Sequence, residues 1–150
     1  MLVHPDQAAN PVLKLVRNVP WTFHQDDSTR PFLVDYEPGR QCGVLFLSLR
    51  FHRLHPNYIY ERMRAVPPTS HRTRVFLVLV DVRGDAGKAS RELGRVAVLL
   101  GWTLLMAWSA EEAARYLEYL KQYEHKPADL IRGRDDADGD CLTEIRTINK

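Results

Sequence analysis

The chain has 150 residues, 45% of them hydrophobic and 27% charged, enough for one domain with a real core. That composition excludes wholesale disorder, and the longest apolar runs, Val75–Val80 and Val96–Leu100, are far too short for a membrane span. The net charge of +2 conceals a basic middle: residues 40–100 carry eleven basic and four acidic side chains, net +7, between acidic flanks.

Leu2-Val3 reads as an edge strand. Val12–Val16 is apolar with one charge, and Asn18-Val19-Pro20-Trp21 is too proline-broken for a helix. His24–Pro31 is a loop. Phe32–Tyr36 is expected as a short strand before a turn at Glu37-Pro38-Gly39. Gly43–Phe51 reads as the clearest early strand, apolar on one face and turning polar towards its end on the other. Leu45, Leu47, Leu49 and Phe51 share its apolar face, and Val44, Phe46, Ser48 and Arg50 share the other. Ser48 and Arg50 are expected to emerge at a groove. His55-Pro56 opens a helix, with Ile59 and Met63 inward and Tyr58 and Arg62 paired beside them.

Val66–His71 is a loop. Val75–Val82 has the β-branched run of a strand buried on both faces. Gly84-Asp85 turns the chain. Ala89, Leu93, Val96, Ala97 and Leu100 have helical spacing and end at Gly101, a C-cap. Trp102–Trp108 is expected as a second central strand. Ser109-Ala-Glu-Glu112 is a capping box for a helix with Ala113, Tyr116, Leu117 and Leu120 on one face, stopped by Pro127. Residues 132–140 are a charged linker, and Asp140–Ile148 begins another helix. The alternation of strands and helices predicts an α/β fold with an open, mixed sheet flanked by helices.

No nucleotide-binding glycine motif and no nucleophile elbow is present. Two cysteines, Cys42 and Cys141, lie far apart without a CxxC, so a reduced compartment is the default. No secretory signal is read in the first residues. His52 and His55 lack a third ligand at metal spacing and read as a loop and helix-cap pair. Asp81 ends a strand where a metal-dependent nuclease holds one carboxylate. Such a site also needs an acidic-x-Lys pair on the neighbouring strand. Neither Val75–Val82 nor Trp102–Trp108 supplies one, and Lys14, the strand-borne lysine candidate, has no acid two residues before it. Asp81 therefore reads as a strand-end residue satisfying a turn. No metal or cofactor is expected.

The basic block is nearly all arginine, suited to bidentate phosphate contact and base stacking, or else a solvated face. Aromatics interleave with its cations: Phe46, Arg50, Phe51, Arg53, His55, Tyr58, Tyr60, Arg62, Arg64. Such a surface suits single-stranded nucleic acid, and equally a short peptide with an aromatic or glycine anchor. Phe46 and Tyr60 read as packing residues. Arg50, Tyr58 and Arg62 read as surface.

The segments Asn10–Trp21, Leu45–His52, Leu54–Ile59, Ala107–Ser109, Glu111–Ala113, Arg115–Leu117 and Tyr123–Leu130 resemble the central domain of the excision repair cross-complementation group one family. That family supplies the non-catalytic subunit of the XPF-containing repair endonuclease. The resemblance runs from about Asn10 to Asn149. It implies a nuclease-like α/β domain of the restriction-endonuclease and XPF type without its active site, over residues 1–131. Residues 132–150, with Cys141–Lys150, resemble a linker and the start of a truncated helix-hairpin-helix domain that pairs with XPF. A monomer is then expected for the isolated chain, acting in the nucleus. The implied groove residues are Asn10, Ser48, Arg50, Phe51, Tyr58 and Arg62, for single-stranded or junction DNA and, in animals, a segment of the scaffold protein XPA. Two departures bear on the XPA contact: Phe51 stands where animals have Tyr, and Asp6 and Ala8 where they have basic residues. Two rivals stand beside this reading, an active metal-dependent nuclease and a protein-interaction module without DNA.

Overall fold

The computed structural model describes residues 1–25, 31–84 and 86–124. In chain order these form β1 (Leu2–Val3), a 3-10 turn (Pro5–Ala9), α1 (Pro11–Lys14), β2 (Thr22–Phe23), β3 (Tyr36–Gly39) and β4 (Cys42–Ser48). Then follow α2 (Leu49–Leu54), α3 (Tyr58–Ala65), β5 (Thr73–Leu79), α4 (Ala86–Leu100), β6 (Thr103–Ala107) and α5 (Ala110–Gln122). The strands make one open mixed sheet in the order β2-β1-β3-β4-β5-β6. β4, β5 and β6 run parallel, and β3 runs antiparallel to both β1 and β4.

The period-2 alternation of β4 and β5 feeds two cores, one on each face of the sheet. Val44, Val75, Leu77, Leu105 and Tyr36 face α1 and α5, and pack on Val12, Leu13, Ala113, Ala114 and Leu117. Leu45, Leu47, Phe76 and Val78 face α3 and α4, and pack on Ile59, Met63, Leu93 and Ala97. The crossovers between the parallel strands β4, β5 and β6 run through α3 and α4 on one face, and α1 and α5 cover the other. α5 starts where the Ser109 hydroxyl accepts from Glu112 N at 3.1 Å. α4 ends at Gly101, whose φ of +79° suits only glycine, and Trp102 N closes back on the Ala97 carbonyl at 2.7 Å.

Several boundaries differ from the sequence expectation. The strand expected over Gly43–Phe51 stops at Ser48, and Leu49–Leu54 is helix. Leu49 is buried in either conformation, so the alternation could not reveal the change. Arg50 therefore shares no strand face with Ser48. The helix expected from His55-Pro56 begins at Tyr58. The turn expected at Glu37-Pro38-Gly39 is the body of β3, and the chain reverses at Arg40-Gln41. What holds it there is a buried pair, Glu37 to His71 at 2.8 Å. Gly43 lets that imidazole in, since a Cβ there would lie 2.7 Å from its ring.

Trp102–Trp108 is not central: β6 is a sheet edge among the described residues, although helices cover both its faces. Lys14 lies on α1, not on a strand. Phe46 and Tyr60 pack against the two cores, as expected. The expected helix stop at Pro127, the linker and the helix-hairpin-helix start lie outside the described residues. No helix among the described residues is long and apolar enough to cross a membrane.

Candidate nucleic-acid interface

The C-terminal ends of parallel strands are where side chains of an α/β sheet are free to meet a ligand. β4 and β5 end side by side, with Ser48 opposite Leu79. The Ser48 hydroxyl donates to the Asp81 carboxylate and accepts from Phe51 N at 3.3 Å. Asp81 also accepts from Arg50 N at 2.9 Å. Two first-turn N–H groups of α2 are thereby satisfied, which is what bends the chain from strand to helix at Ser48. Asp81 is a strand-end residue satisfying a turn, as its sequence position suggested. No group of three His, Cys, Asp or Glu side chains gathers to hold a metal among the described residues.

The capped helix carries Arg50 and Phe51 outward. Phe51 keeps 40% of its surface exposed. Its ring meets Tyr58 edge-on at 4.9 Å and lies 4.6 Å from His55. Edge-to-face geometry is the favourable one for paired rings, so these aromatics form a pre-set step rather than loose side chains. Tyr58 is half-buried, and burial together with the nearby Asp35 charge pushes its phenol pKa up. It stays a neutral hydroxyl through the physiological range.

Arg62 stands behind this step and is not free. It donates to the Tyr58 hydroxyl at 2.5 Å, to the Leu33 carbonyl at 3.1 Å and to Asp35 Oδ1 at 3.0 Å. Asp35 is 1% exposed. Its other carboxylate oxygen accepts from Phe46 N at 2.7 Å, on the stretch of β4 that β3 no longer covers. The side chain thus replaces a missing strand neighbour. Burial pushes the Asp35 carboxyl up, opposed by Arg62 and the Phe46 N–H. Burial alone would lower Arg62, but Asp35 and Tyr58 hold it above its ordinary value.

Asn10 joins this cluster through Tyr36, the residue after Asp35. Its amide donates to Gln7 at 2.8 Å and to the Tyr36 hydroxyl at 3.3 Å, and its oxygen caps α1 at Val12 N. Ser48, Arg50, Phe51, Tyr58 and Arg62 therefore lie together at the end of β4, on α2 and α3. Asn10 reaches them through β3, with its hydrogen bonds already taken.

Sequence reasoning missed Asp35, the hub of this arrangement. One signal pointed to it: a lone carboxylate between Val34 and Tyr36 in an apolar stretch. It also missed Glu118 on the opposite face of the sheet. That carboxylate accepts from Arg17 N and Asn18 N, each at 2.8 Å, and from Arg115 Nε at 2.9 Å. Burial would raise it, but these hydrogen bonds, Asn18 first, hold it below the usual carboxylate value.

The chain is 44% identical to the DNA excision repair protein ERCC-1 of Arabidopsis thaliana, over all of this chain and 36% of that protein. It is 41% identical to the mating-type switching protein swi10 of Schizosaccharomyces pombe, over all of this chain and 58% of that one. It is 30% identical to the DNA repair protein RAD10 of Saccharomyces cerevisiae, over 80% of this chain and 55% of that one. The chain thus spans only part of the length of each of these relatives. Among solved structures it resembles XPF from Aeropyrum pernix, with a TM-score of 0.63 at 16% identity, over 88% of this chain and 68% of that one. The fold is therefore the nuclease-like α/β fold of that protein. Residues 1–127 match the Rad10 family, the binding domain of the DNA repair protein Ercc1 (rad10/Swi10), and the chain belongs to it.

Proposed function

We propose that this chain is the non-catalytic DNA-binding and scaffold-docking domain of a structure-specific endonuclease in nucleotide-excision and crosslink repair. It binds single-stranded DNA beside a duplex junction. Phe51 and Tyr58 stack on bases, Arg50 meets phosphate, and Asn10, Ser48 and Arg62 fix the walls of the groove. An XPF-type subunit supplies the chemistry and docks mainly through a helix-hairpin-helix domain following this one. The isolated chain is monomeric, and the assembly works in the nucleus.

One observation carries this reading: an exposed aromatic step next to Arg50, whose guanidinium has no partner among the described residues, braced from behind by a buried ion pair. Single strands expose base faces that such a step can stack on, at about 1–3 kcal/mol per base, whereas duplex hides them. The family relatives named for DNA repair support it. So does the structural neighbour solved as XPF from Aeropyrum pernix in complex with DNA. Catalytic silence is supported by Asp81, whose carboxylate is committed to Ser48 and Arg50 N, and by the lack of an acidic-x-Lys pair on β5 or β6.

A second reading uses the same step for a short peptide of the XPA type. The packed rings of Phe51, His55 and Tyr58 favour it, because a peptide's aromatic or glycine anchor can lie on their exposed surface.

Fluorescence anisotropy against labelled single-stranded, duplex and splayed-arm DNA tests the main reading. Single-stranded and splayed-arm DNA should bind more tightly than blunt duplex, and equal binding of all three would overturn it. Incubation with the splayed-arm substrate and magnesium or manganese should leave the DNA intact. Metal-dependent cleavage that disappears in Asp81→Asn would overturn the non-catalytic assignment.

A further inference from the structure

Beyond Arg50 and Phe51, α2 presents a second basic surface to the β5–α4 connection. His52 and Arg53 in its last turn, Pro56, Arg83 after β5, and Lys88 and Glu92 on α4 line a cleft of about 520 Å³. Arg53, Arg83 and Lys88 are all exposed. Among the described residues none of the three has an ion pair within contact distance, and Arg53 makes one long hydrogen bond, to the Gly84 carbonyl at 3.5 Å. Arg62 and Arg115, by contrast, are each committed to a buried carboxylate.

Three cations brought to one cleft from three separate elements repel each other, and among the described residues that line it one carboxylate, Glu92, offsets them. Such a concave, unneutralised surface focuses positive potential and concentrates anions. Its lining besides the half-buried His52 ring is Pro56 and Ala89 among charged side chains, so charge dominates what it can contact. Burial lowers the His52 pKa against the pull of Glu92, and its buried Nδ1 has no hydrogen-bond partner. The charge of the cleft therefore rests on the two arginines and the lysine. With about 3.6 residues per turn, Arg50 falls between Arg53 and Phe51 on the exposed side of α2. One helix thus joins the aromatic step to the cleft.

The geometry points to a second phosphate-contact site: Arg53, Arg83 and Lys88 hold backbone phosphates of a strand that leaves the Phe51–Tyr58 groove and crosses α2. This rests on the single-strand reading proposed above. It differs in assigning contacts to phosphates alone, outside the groove.

The test measures binding of oligothymidine of about 5 nucleotides and about 20 nucleotides, bracketing single-strand site sizes. Four proteins are compared over a salt series: wild type, Arg83→Ala/Lys88→Ala, Phe51→Ala, and Arg40→Ala/Arg72→Ala. The last pair is equally exposed and sits at the opposite end of β4 and β5, so it controls for diffuse charge. Arg83→Ala/Lys88→Ala should weaken the long strand, reduce its log-affinity against log-salt slope by about 1.4, and spare the short strand. Losses equal to those of Arg40→Ala/Arg72→Ala, or no loss, would overturn the site. Loss in Phe51→Ala without loss in Arg83→Ala/Lys88→Ala leaves the groove standing and removes the cleft. The reverse pattern keeps the cleft and removes the groove.

Discussion

Arg62 and Arg50 carry the same charge on neighbouring helices, yet the structure uses them differently. Arg62 is sunk against Asp35, Leu33 and Tyr58, and every interaction it makes is internal. Arg50 lends only its backbone N–H to Asp81 and leaves its guanidinium exposed. Asn10 and Ser48 belong with Arg62, since their polar atoms are committed to caps and neighbours. Phe51 belongs with Arg50. These residues therefore divide into those that hold the local structure and those whose side chains are exposed to meet a partner. A substitution in the first set should act on folding, and one in the second on binding.

The sharpest way to break that division is Arg62→Ala. It strands Asp35 as a buried carboxylate without its cation, which costs about 3–5 kcal/mol. Urea unfolding should show that loss, and Asp35→Asn in the same chain should recover part of it by removing the uncompensated charge. Wild-type stability in Arg62→Ala would mean that Arg62 is a contact residue after all. Any binding defect of Arg62→Ala must be read after correcting for the unfolded fraction.

Glu118 extends the comparison to the other face, where a carboxylate also holds a loop but with its pKa shifted the opposite way. Its folded value lies below the unfolded one of 4.5. The stability it contributes is therefore present above pH 4.5 and is lost as pH falls through the folded value. Glu118→Gln should lower stability at neutral pH by about 2 kcal/mol, since hydrogen bonds to a charged group carry about 1.5–3 kcal/mol each. It should also flatten the acid limb of a stability-against-pH curve. An acid limb unchanged by Glu118→Gln would place that pH dependence elsewhere. DNA affinity at pH 7 should be unaffected, since Glu118 lies across the sheet.

Phe51→Ala carries the expectation for the touching set. About 1–3 kcal/mol of single-strand or peptide affinity should disappear. Stability should fall by about 1 kcal/mol, for the ring contacts with Tyr58 and His55 that it removes. Tyr58 straddles the two sets, and two variants separate its roles. Tyr58→Phe keeps the ring but removes the acceptor for Arg62, so it should cost about 1 kcal/mol of stability and little affinity. Tyr58→Ala should cost both. A Tyr58→Phe protein that folds normally but fails to bind would assign the hydroxyl to the ligand instead.

The open mixed sheet, its long strands β4 to β6 and the helix caps at Gly101 and Ser109 were legible because hydrophobic period and capping chemistry are local. The strand-to-helix change at Ser48 was not, because it depends on Asp81, thirty-three residues later in the chain. The same holds for β3, whose Pro38-Gly39 reads as a turn until the Glu37–His71 pair is seen. For Asn10, Ser48, Arg50, Phe51, Tyr58 and Arg62, their common neighbourhood was legible and the split between committed and exposed side chains was not. Nothing within Tyr58–Arg62 reveals that Arg62 has a buried partner at Asp35, twenty-seven residues earlier. Long-range partners of charged residues leave no period in a single sequence.

Arg50→Ala has the smallest expected effect and bears most directly on the division. The backbone N–H that reaches Asp81 survives the substitution, so the α2 cap stays intact. Helix propensity slightly favours Ala, and the side chain has no ion pair among the described residues to lose. Unfolding midpoints should therefore stay at the wild-type value. Binding should weaken modestly at low salt, and the slope of log affinity against log salt should fall by about 0.7, one phosphate contact on a single strand. Arg115→Ala is the contrast. Arg115 pairs with Glu118 and donates to the Leu15 carbonyl, so its loss should lower stability and leave the salt slope unchanged. Equal slope changes at both positions would show that overall charge, not the groove, sets the affinity. A destabilised Arg50→Ala protein with an unchanged slope would move Arg50 into the holding set.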